Sequence, residues 1–381
     1  MRPILRLSSA RLGRTSERQA RFEPRLTSRT ALHIGSSPGR LGMPECTGAE
    51  AAGSERDLPG HAFRMSWVIR PPLDVVVRRR EADEATARLL DRARRTGAAS
   101  PIARGSYAAS EAWATLNPSD AHAQRVWEAA ARLRPGTVFS HHAAAAVLGI
   151  DLIGSWPRAI DVTTATSAGS SGVIRRHHRP LDGDEVTPWG EHFLTTPART
   201  VIDLASVLPF VGGVVAADQA LWQRRAGGAL CTRQELEAAA SRYRGRAHAR
   251  VAAVSTFATG LSDSVRESES RVLIDRLGFP APTLQQRFVL PDGRDAFADF
   301  WWPDHDHIGE FDGTGKYLDA AMRRGRTPEQ ALIAEKDRGD ALRRQVRALS
   351  RWRTPHLRSP RLLYDILRTD GLPSTRPRPG R

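Results

Sequence analysis

The chain has 381 residues, is 40% hydrophobic and 6% aromatic, and carries a formal net charge of +15. That length fills two or three cores, and the charge favours a polyanionic partner, most simply nucleic acid. The only two cysteines, Cys46 and Cys231, lie outside any metal-ligand spacing. A disulfide framework and a zinc ribbon are thereby excluded, and a reducing cytoplasm is the default location.

Residues 1–64 are rich in Arg, Ser and Gly without lasting periodicity, and the first forty hold nine Arg against two acids. They read as a disordered basic leader, or as a start placed too early, with Met65 or Met43 the true beginning. No sustained apolar run makes a signal peptide. A helix is expected over Glu84–Arg95, with Ala85, Leu89, Leu90 and Ala93 on one side and Gly97 ending it. Ile102 to Tyr107 reads as a β-wing, so 65–110 is a winged-helix-like segment in which Arg94 and Arg95 are candidate DNA-backbone contacts.

Residues 111–255 read as mixed α and β. Helices are expected over Ala121–Leu133, Ala143–Leu148 and Pro197–Leu208, a strand over Ala159–Thr164, a flexible loop over Ser167–Gly172, and a polar helical connector over 223–262. Arg199 and Asp203, one turn apart, form an internal ion pair. The pairs His141-His142 and His177-His178 bind nothing jointly, because adjacent side chains on a helix or strand point apart. The most apolar run, 201–222, is interrupted by Asp203 and Asp218 and is too short to span a bilayer, so no membrane partner is expected.

The last module starts with a helix over Ser264–Leu277, in which Glu267 and Arg271 stand one turn apart, and a strand near Leu284–Leu290. A hairpin then pairs Trp302 with His307 across the loop Pro303–Asp306, which sets Asp299 opposite Glu310 with Asp312 beside it. Phe300 and Phe311 take the other face. Opposed like charges destabilise a ladder by roughly 0.2–1 kcal/mol, so a hard divalent cation, Mg²⁺ or Mn²⁺, is expected among the three carboxylates. His305 and His307 alternate around the turn without a third partner. Thr327 and Gln330 have capping-box spacing and open a helix to about Leu349, with Leu332, Leu342, Val346 and Leu349 buried. The charge here is split: 292–319 holds eight acids and two bases, and 323–361 twelve bases and four acids. Arg338, Arg343 and Arg351 are candidate phosphate contacts. Of 57 basic residues only Lys316 and Lys336 are lysine, and both fall in this region.

Ser264-Val-Arg-Glu-Ser268 with Arg271, Ala298-Asp299-Phe300, Glu310-Phe-Asp-Gly313, Lys316-Tyr317 and Glu335-Lys-Asp-Arg338 with Asp340 and Leu342 resemble the PD-(D/E)XK nuclease-like group related to very-short-patch-repair endonucleases. The likeness covers 262–369, with 370–381 left as a disordered tail. Arg104-Gly-Ser-Tyr107, Ser140-His-His-Ala143, Thr196-Pro-Ala-Arg-Thr200 and Asp203 resemble the AbiEi-type antitoxin of toxin–antitoxin systems over about 75–225. The resemblances imply an α/β and α+β multidomain protein. Its front half is winged-helix-like and mixed α/β (domains 65–110 and 111–255), and its C-terminal domain is a three-layer PD-(D/E)XK-like α/β unit. They imply that Asp299 and Glu310 ligate Mg²⁺ and that Glu267 adds a carboxylate. The group's usual lysine, two residues after the second acid, is Asp312 here, and Lys316 stands in for it. The implied activity is Mg²⁺-dependent endonucleolytic cleavage of DNA in a toxin–antitoxin or phage-defence setting, with a cognate toxin as partner. The alternative is a regulator or antitoxin whose nuclease-like domain binds nucleic acid without cutting it.

Overall fold

A computed structural model describes residues 70–313 and 327–380. The leader 1–64 and Lys316 lie outside the described residues. The described chain is mixed α and β, with three sheets.

The first sheet holds β1 (Val77–Arg78), β2 (Ala99–Ala103) and β3 (Ser106–Ala109) in the order β1-β3-β2. Helix α1 (Glu84–Arg95) precedes the β2–β3 hairpin with the bounds its periodicity implies, because Asp83 caps its first turn and Gly97 leaves it at φ 75°. Helices α2 (Ser110–Thr115) and α3 (Pro118–Ala130) follow. α3 starts earlier than its apolar pattern suggests, since Asn117 caps it and Pro118 fits its first turn.

The second sheet has six strands, β4 (Val138–Phe139), β5 (Ile160–Thr164), β6 (Gly169–Ser171), β7 (Ile174–His178), β8 (Val186–Trp189) and β9 (His192–Thr195), ordered β6-β7-β5-β4-β9-β8. The expected loop over 167–172 therefore contains an edge strand, which pairs with β7. Helices α4 (His141–Leu148), α5 (Pro197–Val207), α6 (Phe210–Leu221), α7 (Arg233–Arg242) and α8 (His248–Phe257) complete this part. The region read as a polar connector is not one: Leu236 on α7 and Val251 and Val254 on α8 are buried in the same core as Val201 and Val214. Sparse apolar residues on a surface helix suffice when each is spent on one stripe. Arg199 does pair with Asp203 (Nε to Oδ1, 2.9 Å) and also with Glu185.

The third sheet follows helix α9 (Val265–Arg276) and runs β10 (Thr283–Val289), β11 (Asp295–Trp302), β12 (His307–Phe311) and β13 (Ala348–Trp352), with helix α10 (Pro328–Arg343) crossing between the last two. β10, β11 and β12 are antiparallel neighbours, and β12 pairs β13 in parallel. The expected single helix to Leu349 is thus helix, turn and strand. Leu342 and Leu349 are both buried as foreseen, but Leu349 reaches that core from the strand. Thr327 and Gln330 form the expected capping box. Phe300, Trp302, Phe311 and Trp352 fill one face with Ile274 of α9 and Leu363 and Leu367 of helix α11 (Pro360–Thr369). Gly309 makes room for the two indoles, because a Cβ there would stand 2.7 Å from Trp352 and 2.9 Å from Trp302.

Two further expectations change. Residues after 370 are packed rather than a loose tail: Leu372 is fully buried, Thr375 donates its amide to Gly278, and Tyr364 donates its hydroxyl to Arg376 carbonyl oxygen. Arg271 pairs not with Glu267 but with Asp218 of α6, donating to both carboxylate oxygens at 3.0 and 2.8 Å. That buried pair ties α9 to the helices of the preceding core. Burial pushes the Asp218 carboxyl up, against the pull of Arg271.

Candidate active site

The hairpin turns as its spacing implies: Trp302 pairs with His307, and Asp306 takes the left-handed conformation (φ 45°) that closes the loop. The regular pairing ends at Phe300 and Gly309, one step short of Asp299 and Glu310. There the Asp299 carboxylate accepts the Phe311 amide at 2.9 Å, so a side chain takes over the next rung of the ladder.

Glu267 enters from the first turn of α9, which Ser264 caps. Its carboxylate accepts from the Asp263 amide (2.9 Å), the Ser264 hydroxyl (2.9 Å) and the Gln285 amide nitrogen Nε2 (3.0 Å). Burial, then the negative charge of Asp299, push the Glu267 carboxyl up to about 7. Gln285 sits in the left-handed region (φ 51°), flanked by the pairs Leu284–Phe300 and Gln286–Ala298. A non-glycine residue held there costs about 1–3 kcal/mol and points to a local constraint. Sequence reading gave no sign of Gln285.

Glu310 is buried at 5% exposure and fully engaged. Arg338 Nη1 donates to Oε1 at 2.9 Å, and Arg351 donates to Oε2 through Nε at 3.0 Å and Nη2 at 2.9 Å. Parallel pairing sets Arg351 directly beside Glu310. Gly339 on α10 opens the way, since a Cβ there would lie 2.1 Å from Arg351 Nη2. Two residues on, Arg353 donates to Asp312 through Nε (2.8 Å) and Nη2 (2.6 Å). The alternation Arg351-Trp352-Arg353, just past the expected helix end at Leu349, is the strand-period signal that could have revealed this. Arg343 donates to the Leu349 carbonyl at 3.3 Å.

At Glu310 and Asp312 the repulsion expected to recruit Mg²⁺ or Mn²⁺ is relieved by guanidinium groups, while the charge of Asp299 still acts on Glu267. Among the described residues no group of three or more His, Cys, Asp or Glu side chains converges as a metal cage. Both Glu310 oxygens are held by two arginines and Asp312 Oδ2 by a third, so three of the oxygens that a hard divalent ion would use are already engaged in this arrangement. His307 lies buried against Ser350 (2.8 Å), with its imidazole pushed down by burial.

In the front half, Arg94 lies 4.9 Å over the Tyr107 ring and 3.4 Å from Asp91, while Arg95 is exposed beside it. These side chains line a cleft with Ala99 and Pro101, where the winged-helix reading would place a DNA backbone.

A second cluster escaped the sequence reading. One histidine from each adjacent pair reaches Asp161 on β5: His142 Nδ1 at 3.2 Å and His177 Nε2 at 2.7 Å. Arg175 adds contacts of 2.5 and 3.0 Å. Burial alone would raise Asp161, but these partners hold it well below the usual carboxylate range. His141 is buried at φ 48°, stacks on His177 with centroids 3.7 Å apart, and is pushed well down by burial.

No family model matches the chain, and no solved structure matches it. It is similar to two uncharacterized proteins of Mycobacterium tuberculosis, MT2308 of strain CDC 1551 and Rv2248 of strain H37Rv. Each is 34% identical over 120 residues, or 31% of this chain and 42% of the relative. The chain thus matches less than half the length of these relatives.

Proposed function

We propose that this protein binds nucleic acid, with duplex DNA the leading substrate, and that its C-terminal domain has a nuclease-like build without a working metal centre. The observation that carries this reading is the internal neutralisation of the hairpin by Arg338, Arg351 and Arg353. With Glu310 and Asp312 engaged by those three, the hairpin offers less negative charge than its sequence suggests. Arg344, Arg347 and Arg358 make no ion pair with any described residue, and such cations bind phosphates by counterion release. The order helix, three antiparallel strands, helix and a parallel fourth strand supports the PD-(D/E)XK-like reading of the domain, and the hairpin ahead of α2 supports the winged-helix-like one. A cytoplasmic setting fits the buried Cys231 thiol, which burial pushes up to about 12. Among the described residues no helix is long and apolar enough to cross a membrane. A cognate toxin rests on the upstream resemblance and is tested by co-expression with neighbouring reading frames.

A second reading, Mg²⁺-dependent endonuclease, is favoured by one observation: Asp299 and Glu267 are close enough for one charge to raise the other. Such mutual repulsion marks functional sites as well as structural ones. One experiment separates the two. Labelled duplex DNA is titrated with the full chain in EDTA, then supercoiled plasmid is incubated with Mg²⁺ or Mn²⁺. Retention in EDTA without nicking supports the first reading. Metal-dependent nicking that Asp299→Ala and Glu310→Ala abolish supports the second, and neither retention nor nicking defeats both.

A further inference from the structure

Away from the hairpin, the end of α7 and the turn into α8 are written Ser-Arg-Tyr-Arg-Gly-Arg over 241–246 and meet the end of β7; of these arginines Arg242 pairs with Asp184. Together they line a cleft of about 450 Å³ with Arg179, Tyr243, Arg246 and Arg250 on its wall, beside Ser206 and Val207 at the end of α5. No carboxylate lines it. The arginines are instead held by neutral acceptors. Arg179 donates to the Tyr243 hydroxyl at 2.6 Å and lies 4.5 Å over the same ring. Arg250 donates to the Ala205 carbonyl at 2.9 Å and to that of Ser206. Arg246 is exposed and forms neither a hydrogen bond nor an ion pair with any described residue.

Many other arginines of the fold meet acids, as Arg199 does Glu185 and Asp203, Arg271 does Asp218, and Arg338 and Arg351 do Glu310, although Arg225 and Arg343 also end on carbonyl oxygens. A carbonyl or phenol satisfies a guanidinium's hydrogen bonds without cancelling its charge. Arg179 and Arg250, fixed by these bonds, and the exposed Arg246 therefore put three positive charges on one open wall, with the buried Asp203 offsetting part of Arg179, and that excess favours an anion. Gly245 is part of the construction, because a Cβ there would sit 2.3 Å from the Tyr243 hydroxyl oxygen and 2.8 Å from Arg179 Nη2. Any larger residue would push the tyrosine and arginine apart.

We infer that this cleft is a docking site for the phosphodiester backbone of a nucleic acid, on the six-stranded-sheet domain and separate from the C-terminal hairpin. Planar guanidiniums suit phosphate oxygens, and several at fixed spacing suit a backbone better than a single small anion. The inference shares the nucleic-acid partner with the proposed function but needs nothing of the C-terminal domain.

The test is fluorescence anisotropy of the full chain with a labelled duplex DNA and a duplex RNA, repeated across a series of NaCl concentrations. Arg179→Gln with Arg246→Gln is expected to weaken binding roughly tenfold and to flatten the salt dependence by about two contacts at ~0.9 each, equally for unrelated sequences. Arg246→Lys should restore most of the single-site loss. Should the double variant fail to fold by circular dichroism, Arg246→Gln alone serves, since its side chain bonds to nothing described. Loss on the DNA or on the RNA supports the site and names its source. A folded variant with unchanged affinity and slope on both overturns it while leaving the proposed function standing. A wild-type chain that binds neither duplex overturns both.

Discussion

The cluster around Asp161 and the hairpin around Glu310 solve the same problem with different means. Each holds a buried carboxylate, Asp161 with no exposure and Glu310 with 5%. At Asp161 the partners are two histidines and an arginine drawn from α4 and β7. At Glu310 they are two arginines from α10 and β13. The first arrangement mixes imidazoles, each reaching the carboxylate through one ring nitrogen, with a single guanidinium, whereas the second is built from guanidiniums alone. A run of carboxylates is thus weak evidence for a metal until the cations that fold onto it are known.

The largest expected effect tests how deeply Asp161 is embedded. Asp161→Ala leaves Arg175 and two imidazoles without their anion and should cost about 3–5 kcal/mol in urea unfolding. A loss under 1 kcal/mol would mean that the cluster is wetter than it looks. Next comes Arg271→Ala, which strands the fully buried Asp218; about 3 kcal/mol is expected, with the transition losing cooperativity if α9 then separates from α6.

Proton sensitivity sharpens the contrast further. Burial pushes His122 down to about 4, so its folded value lies below the unfolded one near 6.5. Its contribution is therefore present above pH 6.5 and is lost as pH falls toward 4. Glu267 runs the other way: raised to about 7, it favours the fold at pH below 4.5 and costs stability as pH rises to 7. Thermal melts from pH 4 to 8 should show His122→Phe flattening the acid limb and Glu267→Gln stabilising the chain at pH 8 more than at pH 5. If both variants shift the melt equally at every pH, these groups do not titrate as buried. The smallest effect belongs to the hairpin. Glu310→Ala frees Arg338 and Arg351, whose side chains are 25% and 40% exposed, so water recovers part of the loss and roughly 1–2 kcal/mol is expected. A cost above 4 kcal/mol would show those arginines to be sealed from solvent.

The same pair of regions explains what the sequence could and could not tell. The hairpin was legible because its turn, its apolar alternation and its register lie within fifteen residues. The α10 start was legible from Thr327 and Gln330 alone. Its end was not: Leu342, Val346 and Leu349 fit a helical stripe, and only the distant pairing of Leu349 with Ile308 selects a strand. That error hid Arg351 and Arg353 as counter-ions. Asp161 drew no notice because its partners stand 14 to 19 positions away, and the two histidine pairs were dismissed within each pair rather than across them. Local chemistry is written locally, whereas charge compensation is settled by topology.

Manganese binding to the full chain, followed by electron paramagnetic resonance, tests most directly whether arginine has replaced a metal at the hairpin. Arginine compensation predicts no tight Mn²⁺ site, and spectra unchanged by Asp299→Asn or Glu310→Gln. One Mn²⁺ bound per chain in the micromolar range, lost in both variants, would contradict it.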